Sequence, residues 1–184
     1  MHRLTAHLPL ILALGLSLPA FADEHEHGHA GHSHGAHVHG AAKLEVVVEG
    51  AELNIHLESP LDSVLGFEHA PANEKERAAV ARMKALLAQG DKLFGPTSAA
   101  QCRFAGSTVE APVLDSKPGA AKGDGHGDLD ADFRFTCAQP GKLTGLEVRL
   151  PDSFPRMRSI EAQVAAPKGQ TAKRLSGKMR FLNW

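Results

Sequence analysis

From residue 43 the chain alternates between apolar and polar positions. Leu44, Val46 and Val48 fall on one side, and Lys43, Glu45 and Glu49 on the other. Past Gly50-Ala51 the alternation resumes, with Leu53, Ile55 and Leu57 against Glu52, Asn54, His56 and Glu58. A period of two on both sides of a glycine turn predicts a β-hairpin with one buried face. Ser59-Pro60 ends it. From Asn73 the period changes. Ala79, Val80, Met83, Leu86 and Leu87 recur at helical spacing, and Asn73 followed three residues later by Glu76 is a capping-box-like start. Gln89-Gly90 closes that helix.

Beyond it, the residues Leu93-Phe94-Gly95-Pro96 predict a turn. Strand signals return over 101–105 and 108–114. Residues 129–138 alternate, with Ala131, Phe133, Phe135 and Cys137 inward, and 143–150 put Leu146, Val148 and Leu150 inward. Residues 151–158 read as a loop or short helical turn that buries Phe154. Ile160, Ala162 and Val164 mark the next strand, followed by strands over 171–175 and 178–184. Seven or eight short strands and one clear helix predict an α+β domain over 43–184, mostly antiparallel sheet with one main α-helix. Strand order is not legible at this level.

No such pattern precedes residue 43. Residues 23–40 read DEHEHGHAGHSHGAHVHG and hold seven histidines: His25, His27, His29, His32, His34, His37 and His39. Neutral imidazole offers a nitrogen lone pair to borderline metal ions, and three or four together complete a site. With no cysteine in the run, the donor set suits Zn(II), Cu(II) or Ni(II). The segment 23–42 lacks apolar surface to offset a backbone entropy cost of about 1–2 kcal/mol per residue, so disorder is expected when it is metal-free.

Composition adds the compartment. Arg3, an apolar stretch over 8–18 and Ala20-Phe21-Ala22 read as a secretory signal peptide over 1–22. Removing it changes the formal charge from −1 to −2, because Arg3 is its one charged residue. A balance this small indicates no nucleic-acid partner, and no later segment is apolar enough to span a membrane. Residues 140–184 carry nine Lys or Arg against three acids, which reads as solvated strand faces. Cys102 and Cys137 are expected to pair in an exported chain, and their spacing is too wide for a redox-active C-x-x-C.

Two motifs in the run carry competing chemistry. His25-Glu26-His27-Gly28-His29 formally matches H-E-x-x-H, which serves a metalloprotease only on a helix inside a core. Gly28 and the surrounding low complexity remove that context, so no enzymatic activity is expected. Cleavage after Ala22 would start the chain at Asp23-Glu24-His25. An amine, two amides and a third-position imidazole then make a planar nitrogen site for Cu(II) or Ni(II). His56 reads as an exposed strand residue. His69 reads as a ligand beside Glu68, or as a histidine bonded to the backbone of a tight loop.

The string Gly66-Phe67-Glu68-His69-Ala70-Pro71 resembles the ZrgA-type zinc uptake proteins. The likeness runs from the signal and the His-rich start through the hairpin, the capped helix and Cys102. It continues through Asp132-Phe133-Arg134-Phe135-Thr136-Cys137, Phe154-Pro155 and the Pro167 turn. The resemblance implies a periplasmic protein that binds Zn(II) and assists import beside an ABC-type transporter, with His69 among its ligands. A copper or nickel buffer is the alternative. Relatives often carry a second His-rich stretch between the cysteines. This chain keeps only His126 there, flanked by Asp124, Asp128 and Asp130, as one donor beside carboxylates.

Overall fold

A computed structural model describes residues 38–116 and 127–184. The signal peptide, His25, His27, His29, His32, His34, His37 and His126 lie outside the described residues. The hairpin forms as its alternation requires. Strand β1 (Ala41–Glu49) pairs antiparallel with β2 (Glu52–Pro60), and Leu44, Val46, Leu53, Ile55 and Leu57 are all buried.

A short helix α1 (Leu61–Leu65) follows β2, and Gly66 closes it in the left-handed region at φ 87°. The main helix α2 (Glu74–Leu87) starts where the cap predicts. Asn73 accepts a hydrogen bond from the Glu76 amide at 3.0 Å, and Glu76 accepts in return from the Ala72 amide at 2.7 Å. That Ala72 bond, aided by the Asn73 side chain, holds the Glu76 carboxyl below its usual range. Val80, Met83 and Leu87 are the residues α2 buries.

The next stretch departs from the sequence reading. A short helix α3 (Gly90–Leu93) leads into β3 (Phe94–Pro96), a paired strand where a turn was expected. Its proline takes the last strand position, where a missing amide costs little. Strand β4 (Cys102–Glu110) runs as one element where two were expected, because a bulge between Phe104 and Gly106 keeps it paired with β5 (Asp128–Cys137). Gly106 permits the bulge at φ 142°, a conformation that a side chain disfavours. The extra residue inverts the alternation, so Thr108 and Glu110 share the outer face with Asp132 and Asp130.

Strand β6 (Gly145–Val148) and helix α4 (Leu150–Ser153) follow; Phe154 is buried after them as expected, and Met157 is buried as well. The chain ends in β7 (Ser159–Ala166), β8 (Gly169–Ser176) and β9 (Phe181–Asn183).

The strands form two sheets. The larger has the order β4-β5-β2-β1-β7-β8, and the smaller β3-β6-β9. Every pairing is antiparallel except β1 with β7. The fold is thus α+β and rich in antiparallel sheet, and among the described residues α2 is the one long helix. Phe94 of the small sheet meets Phe133 of the large one, ring centroids 4.9 Å apart. Together with α2 it covers one face of the large sheet and leaves the other to solvent. Each fully buried leucine or phenylalanine in this seam contributes about 1.5–3 kcal/mol. Among the described residues no helix is long and apolar enough to cross a membrane.

Cys102 and Cys137 are bonded and stand opposite each other in the β4–β5 register. The bridge closes 35 residues of chain. A double Cys102→Ala, Cys137→Ala variant is expected to lose about 3–4 kcal/mol of stability. Urea unfolding of the two proteins measures this, and an unchanged midpoint would show that the bridge does not hold the fold.

Candidate metal centre

Strand β1 lies inside the large sheet, so the residues that precede it are held at the rim. The Gly40 carbonyl accepts from the amides of Arg158 and Ser159 at 2.7 and 3.0 Å. Its own amide donates to Ser63 Oγ at 2.9 Å. Gly40 sits in the left-handed region at φ 83°, a conformation that a side chain disfavours. His39, the last histidine of the run, is fixed by that anchoring, and its carbonyl accepts from Arg158 Nη2 at 3.2 Å.

The His39 ring sits at a corner built by α1 and the loop after it. Its Nε2 lies 3.3 Å from Glu68 Oε1, and its Nδ1 lies 4.0 Å from Asp62 Oδ2. The Glu68 side chain is only 9% exposed, while the ring is 52% exposed. Arg156 fixes the floor. Its Nη2 donates to Asp62 Oδ1 at 2.7 Å and Oδ2 at 2.9 Å, and its Nε donates to the Asp62 carbonyl at 2.9 Å. A carboxylate opposite an imidazole is a fitting donor pair for zinc. Two bonds of about 2.0–2.1 Å meeting at the tetrahedral angle leave their donors about 3.3 Å apart.

His69 follows Glu68 directly. Its Nδ1 donates to the Ala70 carbonyl at 2.9 Å and lies 4.0 Å from Glu76 Oε2. The Phe67 ring stacks nearby at 5.1 Å, and the His69 side chain is 57% exposed. The backbone bond is the one expected of a tight loop before a helix. It also fixes the tautomer, so Nε2 carries the lone pair. Gly127, the residue after His126, reaches the same corner. A β-carbon there would lie 2.9 Å from the Glu68 carbonyl.

A second polar group occupies the outer face of the large sheet. His56 Nδ1 donates to Asp132 Oδ1 at 2.8 Å, Thr108 donates to Asp132 Oδ2 at 3.3 Å, and His56 Nε2 lies 3.7 Å from Asp130 Oδ1. His56 is the exposed strand residue its alternation predicts, but its partners Asp130 and Asp132, and Glu68 beside His39, carry no local sequence signal. Strand register sets His56 against Asp132 and beside Asp130, and the loop after α1 brings Glu68 to His39; the Gly106 bulge sets only which β4 residues join them.

Partial burial pushes the Asp130 carboxyl above its usual range; the nearby His56 opposes this, and Glu58, Asp128 and Glu110 add to it. A carboxyl raised on folding keeps a proton that the unfolded chain releases. Stability therefore falls as pH rises from the ordinary aspartate value through the raised one.

Among the described residues no three His, Cys, Asp or Glu side chains form a group that could hold a metal ion. Residues 36–184 match the family described as "ZrgA family zinc uptake protein". A comparison with curated proteins gave no match.

The raised Asp130 carboxyl gives a direct expectation. Asp130→Asn should stabilise the metal-free protein near neutral pH by no more than about 1 kcal/mol, since solvent screens this half-exposed group. The gain should vanish near pH 3, below the ordinary aspartate value of about 3.9. Thermal unfolding at the two pH values tests it, and a gain of equal size at both would contradict the assignment.

Proposed function

Because the chain belongs to the ZrgA family of zinc uptake proteins, we propose that it captures Zn(II) in the periplasm for an ABC-type transporter. The carrying observation is His39 held 3.3 Å from Glu68 at the entrance to the sheet. There a two-donor edge of the folded body meets the end of a run of imidazoles. His25, His27, His29, His32, His34 and His37 collect the metal in exchanging sets of three or four. His39 and Glu68 seat one ion against the body, with further donors drawn from the run, His69 or His126.

The role is binding. Histidines separated by glycine and alanine keep no rigid coordination position open for a substrate, as a hydrolytic zinc site does. A planar copper or nickel site at Asp23-Glu24-His25 is a second property of the same leader, independent of zinc capture.

Metal titration of the chain from residue 23 onward tests this reading. Imidazoles must be neutral to bind, so zinc equivalents should fall steeply between about pH 7.5 and 5.5, across the histidine value of about 6.5. Equal stoichiometry at the two pH values would overturn imidazole capture. In the same titration, one equivalent of Cu(II) should give a visible d–d band that His25→Ala removes. Absence of that band would end the copper reading alone.

A further inference from the structure

The outer face of the large sheet brings together residues from three strands. Glu58 and Glu110 both pair with Asp130, on β2 and β4 respectively, and His56 and Thr108 both pair with Asp132. Among the described residues nothing apolar covers these groups. On these three strands the first row is carboxylate, and Lys43 of β1 donates to Glu58 at its end at 2.9 Å. The second supplies one imidazole beside it.

The geometry of that imidazole is specific. A carboxylate only accepts, so the 2.8 Å contact to Asp132 puts a proton on His56 Nδ1. The Thr108 hydroxyl holds the other Asp132 oxygen at 3.3 Å. In the neutral ring Nε2 then carries the lone pair, and it faces Asp130 Oδ1 at 3.7 Å. Two acceptors opposed at this distance form no hydrogen bond. A cation between them turns the repulsion into attraction. A carboxylate that fixes a histidine through one ring nitrogen and leaves the other for metal is the usual outer support of a zinc ligand.

We propose that this face carries a second zinc site, with His56 Nε2 and Asp130 as its protein ligands and Asp132 as the positioning residue. An imidazole donor selects a borderline transition ion over calcium or magnesium, which take oxygen. Zinc bonds of about 2.0–2.1 Å at the tetrahedral angle place the two donors about 3.3 Å apart, so the gap closes by a few tenths of an ångström. Water fills the remaining positions, with Glu110 and Glu58 flanking. Two protein donors make a weak, quickly exchanging station suited to passing an ion on. The inference rests on zinc as the cargo but not on the histidine run.

Heteronuclear NMR of isotope-labelled histidine rings in the full chain, titrated with zinc near pH 7.5, tests it. A His56→Gln spectrum assigns the signal. The expected result is a zinc-dependent move of His56 Nε2 with Nδ1 still protonated. Asp130→Asn should weaken that response at least tenfold, and Asp132→Asn by about 10- to 100-fold with loss of the fixed tautomer. In both variants the other histidines should respond as in the parent. A His56 signal unmoved at zinc levels that saturate the run would overturn the proposal. So would a ring protonated on both nitrogens before and after zinc, which would mean that a proton fills the gap. If the histidines of the run were also unmoved, zinc capture itself would fail.

Discussion

The pairing of β1 on both sides is the constraint on which the rest depends. It joins β2 antiparallel and β7 parallel, so its first residues are locked between two neighbours. The consequence reaches past the strand end. Gly40 bonds Arg158, Ser159 and Ser63, and His39 is thereby held where Glu68 and Asp62 stand. A leader attached to an edge strand would enter the fold without that definition. Here the run of imidazoles ends at a fixed point beside carboxylates, which is the geometric basis for assigning the corner to metal capture.

One-sided burial then sorts the chemistry. The apolar set of each central strand is consumed by α2 and the small sheet, and the alternate set is left in water. Most of that outer set is plain strand surface, including the Lys43–Glu58 pair at 2.9 Å, whose hydrogen bond raises the lysine. The carboxylates around Asp130 are different. Partial burial and the neighbouring Glu58, Asp128 and Glu110 raise the Asp130 carboxyl, which His56 opposes. Their meeting on one patch, next to the one histidine of β2, is the basis for the cation site proposed there.

The sequence made the local features of this fold readable and left its long-range ones hidden. The hairpin, the Asn73–Glu76 cap and the inward set of β5 each depend on residues within a few positions of one another, so periodicity exposed them. Strand β3 was missed because three residues ending in proline carry a turn signal, and their pairing with β6 is set some fifty residues away. Strand β4 was split because Gly106 breaks its alternation, although the break keeps one strand in register. The site followed the same rule. The histidines were visible as donors, whereas Glu68, Asp62, Asp130 and Asp132 became their partners only through tertiary contact. His69 was open between loop support and ligation, and its bond to Ala70 satisfies one nitrogen while leaving the other available.

The two parts of the chain divide the work. In the function proposed above, the histidines of the leader supply capacity as many interchangeable donors. The body supplies position, through a few carboxylates and rings fixed by register. The most direct measurement is zinc stoichiometry and affinity of the chain from residue 23 onward against the same chain lacking residues 23–37, both checked for folding by circular dichroism. The account predicts that the shortened protein keeps its fold and loses most of its bound zinc. An unchanged number of ions held with unchanged strength would contradict it.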